Sequence, residues 1–277
     1  MKEAEMKTFV ITGSTSGIGK ALVKVFSKEN IVFAGYRNEQ YVNDLTNISN
    51  NIIPFYIDLN NKPSISQAAA FIKSKTSELD TIINAAGCVV AGAVESIDIE
   101  KIRTQFEVNT FSHLDFSQRL LPLIKENGKI INISSMASFG IFPFVAPYCA
   151  SKRALDILFN SLQLETHRNI NIISVKPGVI ATPLWGKSIE LNKDTIKNCS
   201  GYEAEMHYML DNARNNETKG LDVKKVTDLI IKIEKSANPG VSYTIGNDAK
   251  FAEFISKLPQ SLLNKLIKFG MKRKFKN

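Results

Sequence analysis

Tyr148 and Lys152 stand one helical turn apart in the segment YCASK, directly after Pro147 and at the start of a long run of apolar residues at helical spacing. At positions i and i+4 of a helix two side chains lie on one face. An ammonium beside a phenol favours the phenolate, so the pair predicts a tyrosine pulled down from about 10 toward working pH. Such a tyrosine can act as acid or base on a carbonyl and its alcohol. Upstream, Ser135 closes the apolar run INISS and offers a hydroxyl at the carboxyl end of what reads as a strand. Ligands of open α/β sheets bind at that end.

The rest of the chain must hold these side chains in register. Seven apolar runs bounded by turn residues read as strands, at 7–12, 31–36, 51–57, 80–85, 128–134, 170–176 and 241–245. They are continuous rather than alternating, as in parallel sheets covered on both faces. Helical periodicity fills the intervals at 17–28, 64–77, 98–126, 148–168 and 222–236. Strand and helix in alternation predict an α/β fold with a doubly wound parallel (Rossmann) sheet of about seven strands in a single domain. That domain is expected over residues 1–249, with a substrate lid at 183–220 and a basic amphipathic helical extension at 250–277.

Between the first strand and the first helix lies TGSTSGIG, with glycines at 13, 17 and 19. Glycines there let the backbone turn tightly and approach a pyrophosphate held at the helix N-terminus. The second strand ends at Tyr36 and Arg37. Dinucleotide-binding folds judge the adenosine ribose at this point, where an acidic residue suits a free 2′-hydroxyl and an arginine a 2′-phosphate. Arg37 therefore argues for NADP(H). A charge-assisted contact of about 1.5–3 kcal/mol corresponds to roughly ten- to a hundredfold preference over NAD.

Together these segments resemble the short-chain dehydrogenase/reductases. TGSTSGIG (12–19), Asp58, NAAG (84–87), the asparagine of FEVN (106–109), ISS (133–135), YCASK (148–152) and PGVIAT (177–182) occur in that family's order and spacing. The glycine spacing is similar to its oxidoreductase branch. The resemblance implies a catalytic set of Asn109, Ser135, Tyr148 and Lys152: Tyr148 as general acid/base, Ser135 orienting the substrate oxygen, Lys152 binding the nicotinamide ribose and acidifying the tyrosine, and Asn109 anchoring a proton-relay water. It implies cofactor contacts from Gly13, Ser14, Thr15, Ser16, Gly17, Ile18 and Gly19 in the loop and from Arg37 and Asp58. Further contacts come from Asn84, Ala85 and Gly87, from Tyr148 and Lys152, and from Pro177, Gly178, Val179 and Thr182. No metal is needed.

Aromatic and apolar residues cluster between Ser135 and Tyr148 and again in the lid, so Phe142, Phe144 and Trp185, with Ser135, are expected to contact substrate. Such walls suit a bulky hydrophobic alcohol or ketone, steroid-, retinoid- or lipid-like. The end of the chain resembles steroid- and retinol-dehydrogenase-like members and lacks the Asp-Gly-Gly turn usual in acyl-carrier-protein reductases. A 3-oxoacyl reductase is the alternative among enzymes. A non-catalytic NADP-binding sensor or scaffold is the alternative outside them, and would need only the glycine loop and adenine contacts. None of the three histidines is assigned a catalytic role.

The net charge of +8 is concentrated in the tail, where eight basic residues from Lys250 to Lys276 face Glu253 alone. The body is nearly neutral, which argues against nucleic-acid binding. Three dispersed cysteines indicate neither a disulfide framework nor a zinc site. The charged N-terminus MKEAEM and the absence of any long apolar run predict a cytoplasmic protein. In the tail, Phe251, Phe254, Ile255 and Leu258, then Leu262, Leu263, Leu266 and Ile267 after Pro259, recur at helical spacing. Packing of this stripe on the body or a second subunit is the expectation, as for most amphipathic helices, with peripheral contact to an anionic membrane as the competing reading. The resemblance implies a homodimer or homotetramer.

Overall fold

The structure, a computed structural model, describes residues 6–275. The first five residues and Lys276, counted above in the N-terminal and tail readings, lie outside them. Seven strands form one parallel sheet in the order β3-β2-β1-β4-β5-β6-β7. They are β1 (Thr8–Ile11), β2 (Ile31–Tyr36), β3 (Ile52–Tyr56), β4 (Leu79–Asn84), β5 (Ile124–Ile133), β6 (Asn171–Pro177) and β7 (Ser242–Ile245). The helices are α1 (Gly17–Phe26), α2 (Val42–Thr46), α3 (Lys62–Lys75), α4 (Ile99–Phe106), α5 (Ser112–Leu120), α6 (Ala146–Glu165), α7 (Leu184–Lys197), α8 (Glu203–Lys219), α9 (Val223–Lys235), α10 (Asn247–Ile255) and α11 (Gln260–Phe275).

Alternate residues of each strand enter opposite layers, as the two-residue period of a strand requires. Val10, Phe33, Ile82, Ile130 and Ile172 pack on α3, α5 and α6 through Ile65, Ile72, Phe116, Leu155 and Phe159. Their neighbours Ile11, Val32, Ile83, Ile131 and Ile173 pack on α1 and α9 through Leu22, Val23, Val226 and Ile230. Each such burial is worth about 1.5–3 kcal/mol, and both faces of the sheet draw on it. The crossover between β1 and β4 leaves a crevice beyond the carboxyl ends of the strands, and the loops converge there.

Two expectations change, and a segment given no secondary structure above proves helical. The segment 98–126 is not one helix: α4 passes through a π turn at Glu107–Phe111 into α5, which stops at Leu120. Pro122 cannot donate to a continuing helix, and β5 already begins at Ile124, with a register irregularity opposite Leu79 and Thr81. The lid is helical, formed by α7 and α8. Its two ends are clipped side by side: Ile180 bridges Leu221, the Ala181 amide donates to the Leu221 carbonyl (3.0 Å) and the Leu221 amide to the Val179 carbonyl (2.8 Å). Finally, the tail stripe does not pack as a unit. α10 buries the small Ala249 and Ala252 and leaves Phe251 and Phe254 exposed, while beyond Pro259 α11 exposes Leu262 and Leu266.

Candidate active site

A cavity of about 1270 Å³ runs from the glycine loop to the lid. At one end the loop is shaped by contact. Gly13 has φ +68°, and a Cβ there would stand 2.9 Å from the backbone of Ala86. A Cβ on Gly19 would come within 2.3 Å of the Gly13 carbonyl. Only glycine fits either place. The Thr12 hydroxyl ties this loop to the next strand end by accepting from the Ala85 and Ala86 amides, at 3.1 and 3.3 Å.

Gly13, Thr15, Ser16, Gly17, Ile18, Arg37, Asp58, Ala85, Gly87, Pro177, Gly178, Val179 and Thr182 all line the cavity, together with Ser135, Phe142, Tyr148, Lys152 and Trp185. Arg37 is exposed at its rim and makes no hydrogen bond or ion pair among the described residues. The carboxylate of Asp58 accepts from the Asn60 amide at 2.9 Å.

Five of the residues expected in the site do not line the cavity. Ser14 is buried, its hydroxyl turned back to the Ile11 carbonyl (2.8 Å), so it braces the loop. Gly19 serves the close packing just described. Asn84 points into the layer between sheet and α5, donating to Asn132 Oδ1 (2.8 Å) and Ser117 Oγ (3.1 Å). The amide of Asn109 is fully committed: it donates to the Cys88 carbonyl (2.9 Å) and Ser151 Oγ (3.1 Å) and accepts from the Cys88 amide (2.9 Å). That side chain therefore ties the segment after β4 to α6. Phe144, at φ +67°, packs edge-on against Tyr202 beneath the lid.

Ser135 caps the short turn after β5, its hydroxyl accepting from the Ala137 amide at 3.1 Å. α6 presents Tyr148 and Lys152 to the same wall, as the spacing predicts. Lys152 is buried and donates to the Ile133 carbonyl at 2.8 Å. Burial pushes its pKa down to about 8, opposed by Asp156 one turn further along α6. Asp156 is itself buried, 3.1 Å from Lys176.

The tyrosine departs from expectation. Burial pushes Tyr148 up to about 12, with only the hydrogen bond to Ser135 pulling the other way. The Lys152 ammonium, 5.9 Å from the ring centroid, does not overcome the cost of desolvating a phenolate. In the protein alone the phenol stays protonated, the form a general acid requires. Close by, burial also raises the Cys88 thiol to about 11. His113 is driven to about 4 by burial while its Nε2 lies 2.9 Å from the Ala86 carbonyl, so it stays neutral at physiological pH.

Sequence reasoning missed the fastening of the lid. Lys187 of α7 donates to Ser16 Oγ in the glycine loop at 2.9 Å, bringing an ammonium to that end of the cavity. Asn192, buried, donates to the Val89 carbonyl (2.7 Å) and accepts from the Ala91 amide (2.9 Å). Both residues fall in a segment whose sequence carries no motif, and only the i, i+4 spacing from Ser188 to Asn192 hints at a shared helical surface.

The family model described as short chain dehydrogenase matches residues 7–193. An NADPH-dependent 3-dehydrocapnine reductase of Ornithobacterium rhinotracheale is 27% identical, covering 97% of this chain and 98% of its own. A 3-ketodihydrosphingosine reductase of Bacteroides thetaiotaomicron is 28% identical over 92% and 94%. Among solved structures, a short-chain dehydrogenase from Streptomyces avermitilis superposes with a TM-score of 0.78 at 21% identity, with both chains covered in full. With glycine loop, strand order and matched residues in agreement, this chain belongs to the short chain dehydrogenase family, oxidoreductases that interconvert alcohols and carbonyls with a nicotinamide nucleotide.

Proposed function

We propose that the protein is an NADP(H)-dependent reductase of a bulky apolar ketone, with Tyr148 as the acid. The observation that carries this reading is the meeting of Ser135, Tyr148 and Lys152 on one wall of a cavity whose other end is the glycine loop. The cradle fits a dinucleotide: tight backbone approach at Gly13, the N-terminus of α1, the unpaired Arg37 at the rim and Lys187 above Ser16. When bound, the nicotinamide supplies the hydride. Ser135 then holds the carbonyl oxygen, Tyr148 gives it the phenolic proton, and buried Lys152 stabilises the phenolate left behind. Arg37 and Lys187 are the cations available to a 2′-phosphate and a pyrophosphate.

Support for an apolar substrate comes from the lid side of the cavity, where Phe142, Trp185, Ile189, Met206, Met209 and Leu210 line the wall. Two relatives, named for reducing 3-dehydrocapnine and 3-ketodihydrosphingosine, point to lipid-like ketones in preference to steroids or retinoids. The reductase works in the cytoplasm and assembles with a second copy. For the latter, Ile157 and Leu164 stand on one exposed stripe of α6, Leu164 at 87% exposure.

The test follows nicotinamide absorbance with purified protein against lipid-like, steroid, retinoid and acyl-thioester ketones, each with NADPH and NADH. NADPH oxidation with a lipid-like ketone is expected, lost on the order of a hundredfold or more in Tyr148→Phe, which still binds NADPH. Equal turnover in that variant overturns the mechanism. Tight NADPH binding without turnover on any ketone favours a sensor.

A further inference from the structure

α11 carries two apolar faces. At 100° per residue, Leu263, Ile267, Met271 and Phe275 share one side, and Leu262, Leu266 and Phe269 share roughly the opposite one. The first side is half-buried. Met271 joins the cluster containing Phe144 and Met206, and the Phe275 ring sits 5.6 Å from that of Tyr208 in α8. Among the described residues nothing covers the second side: Leu262, Leu266 and Phe269 are 42%, 52% and 67% exposed. Lys265, Lys268 and Lys272 run along one edge of this bare stripe, Arg273 lies on it near its end, and α11 holds no acidic residue at all.

A helix needs one apolar face to pack on its own domain. A second, whose only charged neighbours on the helix are cations, matches a surface that is apolar at depth and anionic at its boundary. We propose that α11 docks this protein on an anionic lipid bilayer, with Leu262, Leu266 and Phe269 entering the acyl boundary and the lysines meeting the headgroups. No helix among the described residues is long and apolar enough to cross a membrane, so the contact lies in the plane of the interface. Its inner side packs on the cluster of Met206 and on Tyr208, both of which also line the cavity, so α11 and one layer of side chains stand between the lipid surface and the cavity. Docking rests on the surface of α11 alone and holds whatever ketone the active site takes.

The test is co-sedimentation of the full chain with phosphatidylcholine vesicles and with vesicles containing phosphatidylglycerol. Binding to the anionic vesicles only, weakened by salt, is expected. It should fall on the order of a hundredfold in Lys265→Glu/Lys268→Glu/Lys272→Glu, and be lost in Leu266→Glu/Phe269→Glu. Thermal midpoint and NADPH binding, measured alongside, should stay as in the wild type and so separate lost docking from lost folding. Equal binding by the wild type and the Leu266→Glu/Phe269→Glu variant overturns the proposal, as does absence of binding to anionic vesicles. A dimer in solution that falls apart in that variant gives the stripe to a second copy and equally overturns it.

Discussion

Tyr148 and Lys152 titrate in opposite senses from their ordinary values, and this sets the expected pH profile. With the phenol held near 12, Tyr148 remains a proton donor across the working range, whereas Lys152 loses its charge above about 8. Reductive turnover is therefore expected to decline above about pH 8. Asp156 holds the lysine charged, so Asp156→Asn should move that limb to lower pH, and an unmoved limb would remove Lys152 from the mechanism. His113 gives a stability signature instead. Its folded value of about 4 lies below the ordinary 6.5, so from pH 6.5 down to 4 the unfolded chain takes up a proton that the folded one refuses. Stability should fall over that window, and His113→Gln, which keeps a donor for the Ala86 carbonyl, should flatten the fall in urea midpoints. At the rim, Arg37→Ala should cut the NADPH over NADH preference in kcat/KM by roughly ten- to a hundredfold.

At the scale of elements, the lid is fastened at points that can be cut singly. Asn192→Ala leaves the Ala91 amide without its partner and the Val89 carbonyl with Ser188 Oγ alone, and should cost about 1–3 kcal/mol of lid docking. Limited proteolysis within 183–220 should speed up while the thermal midpoint of the body changes little. Lys187→Ala should raise the Kd for NADPH severalfold with kcat preserved. All seven strands were legible in the sequence because each is a continuous apolar run, and the glycine loop because φ and close approach admit nothing else. Asn84 could have been placed by counting. Ile82 enters the layer of α5 and Ile83 the opposite one, so Asn84 must return to the first, facing Asn132 in register on β5. The π turn and the lid helices were not legible. The first is a local change of hydrogen-bond period with no residue signature, and the second carry apolar residues on two sides, blurring the amphipathic pattern. The raised tyrosine was illegible for a related reason: spacing gives the neighbouring charge but not the depth of burial that outweighs it.

For the molecule as a whole, the sheet is the common wall of two cores, and damage on either side should be felt globally. Phe116→Ala opens a cavity in one layer and Leu22→Ala in the other, at about 3–5 and 2–5 kcal/mol, read as lowered urea midpoints. Activity per folded molecule should persist in both, since neither side chain reaches the cavity. The clip between Ile180 and Leu221 has a different reach. It brings the two ends of residues 181–220 together on the body, so that stretch leaves the sheet and returns to it at one place. Its length can change at little entropic cost, because closing a longer loop between fixed ends adds only about 0.6 kcal/mol per doubling. If the proposed chemistry holds, exchanging residues 181–220 for a relative's equivalent should change which ketone is reduced and leave cofactor binding as it was, measured by kcat/KM and by the Kd for NADPH.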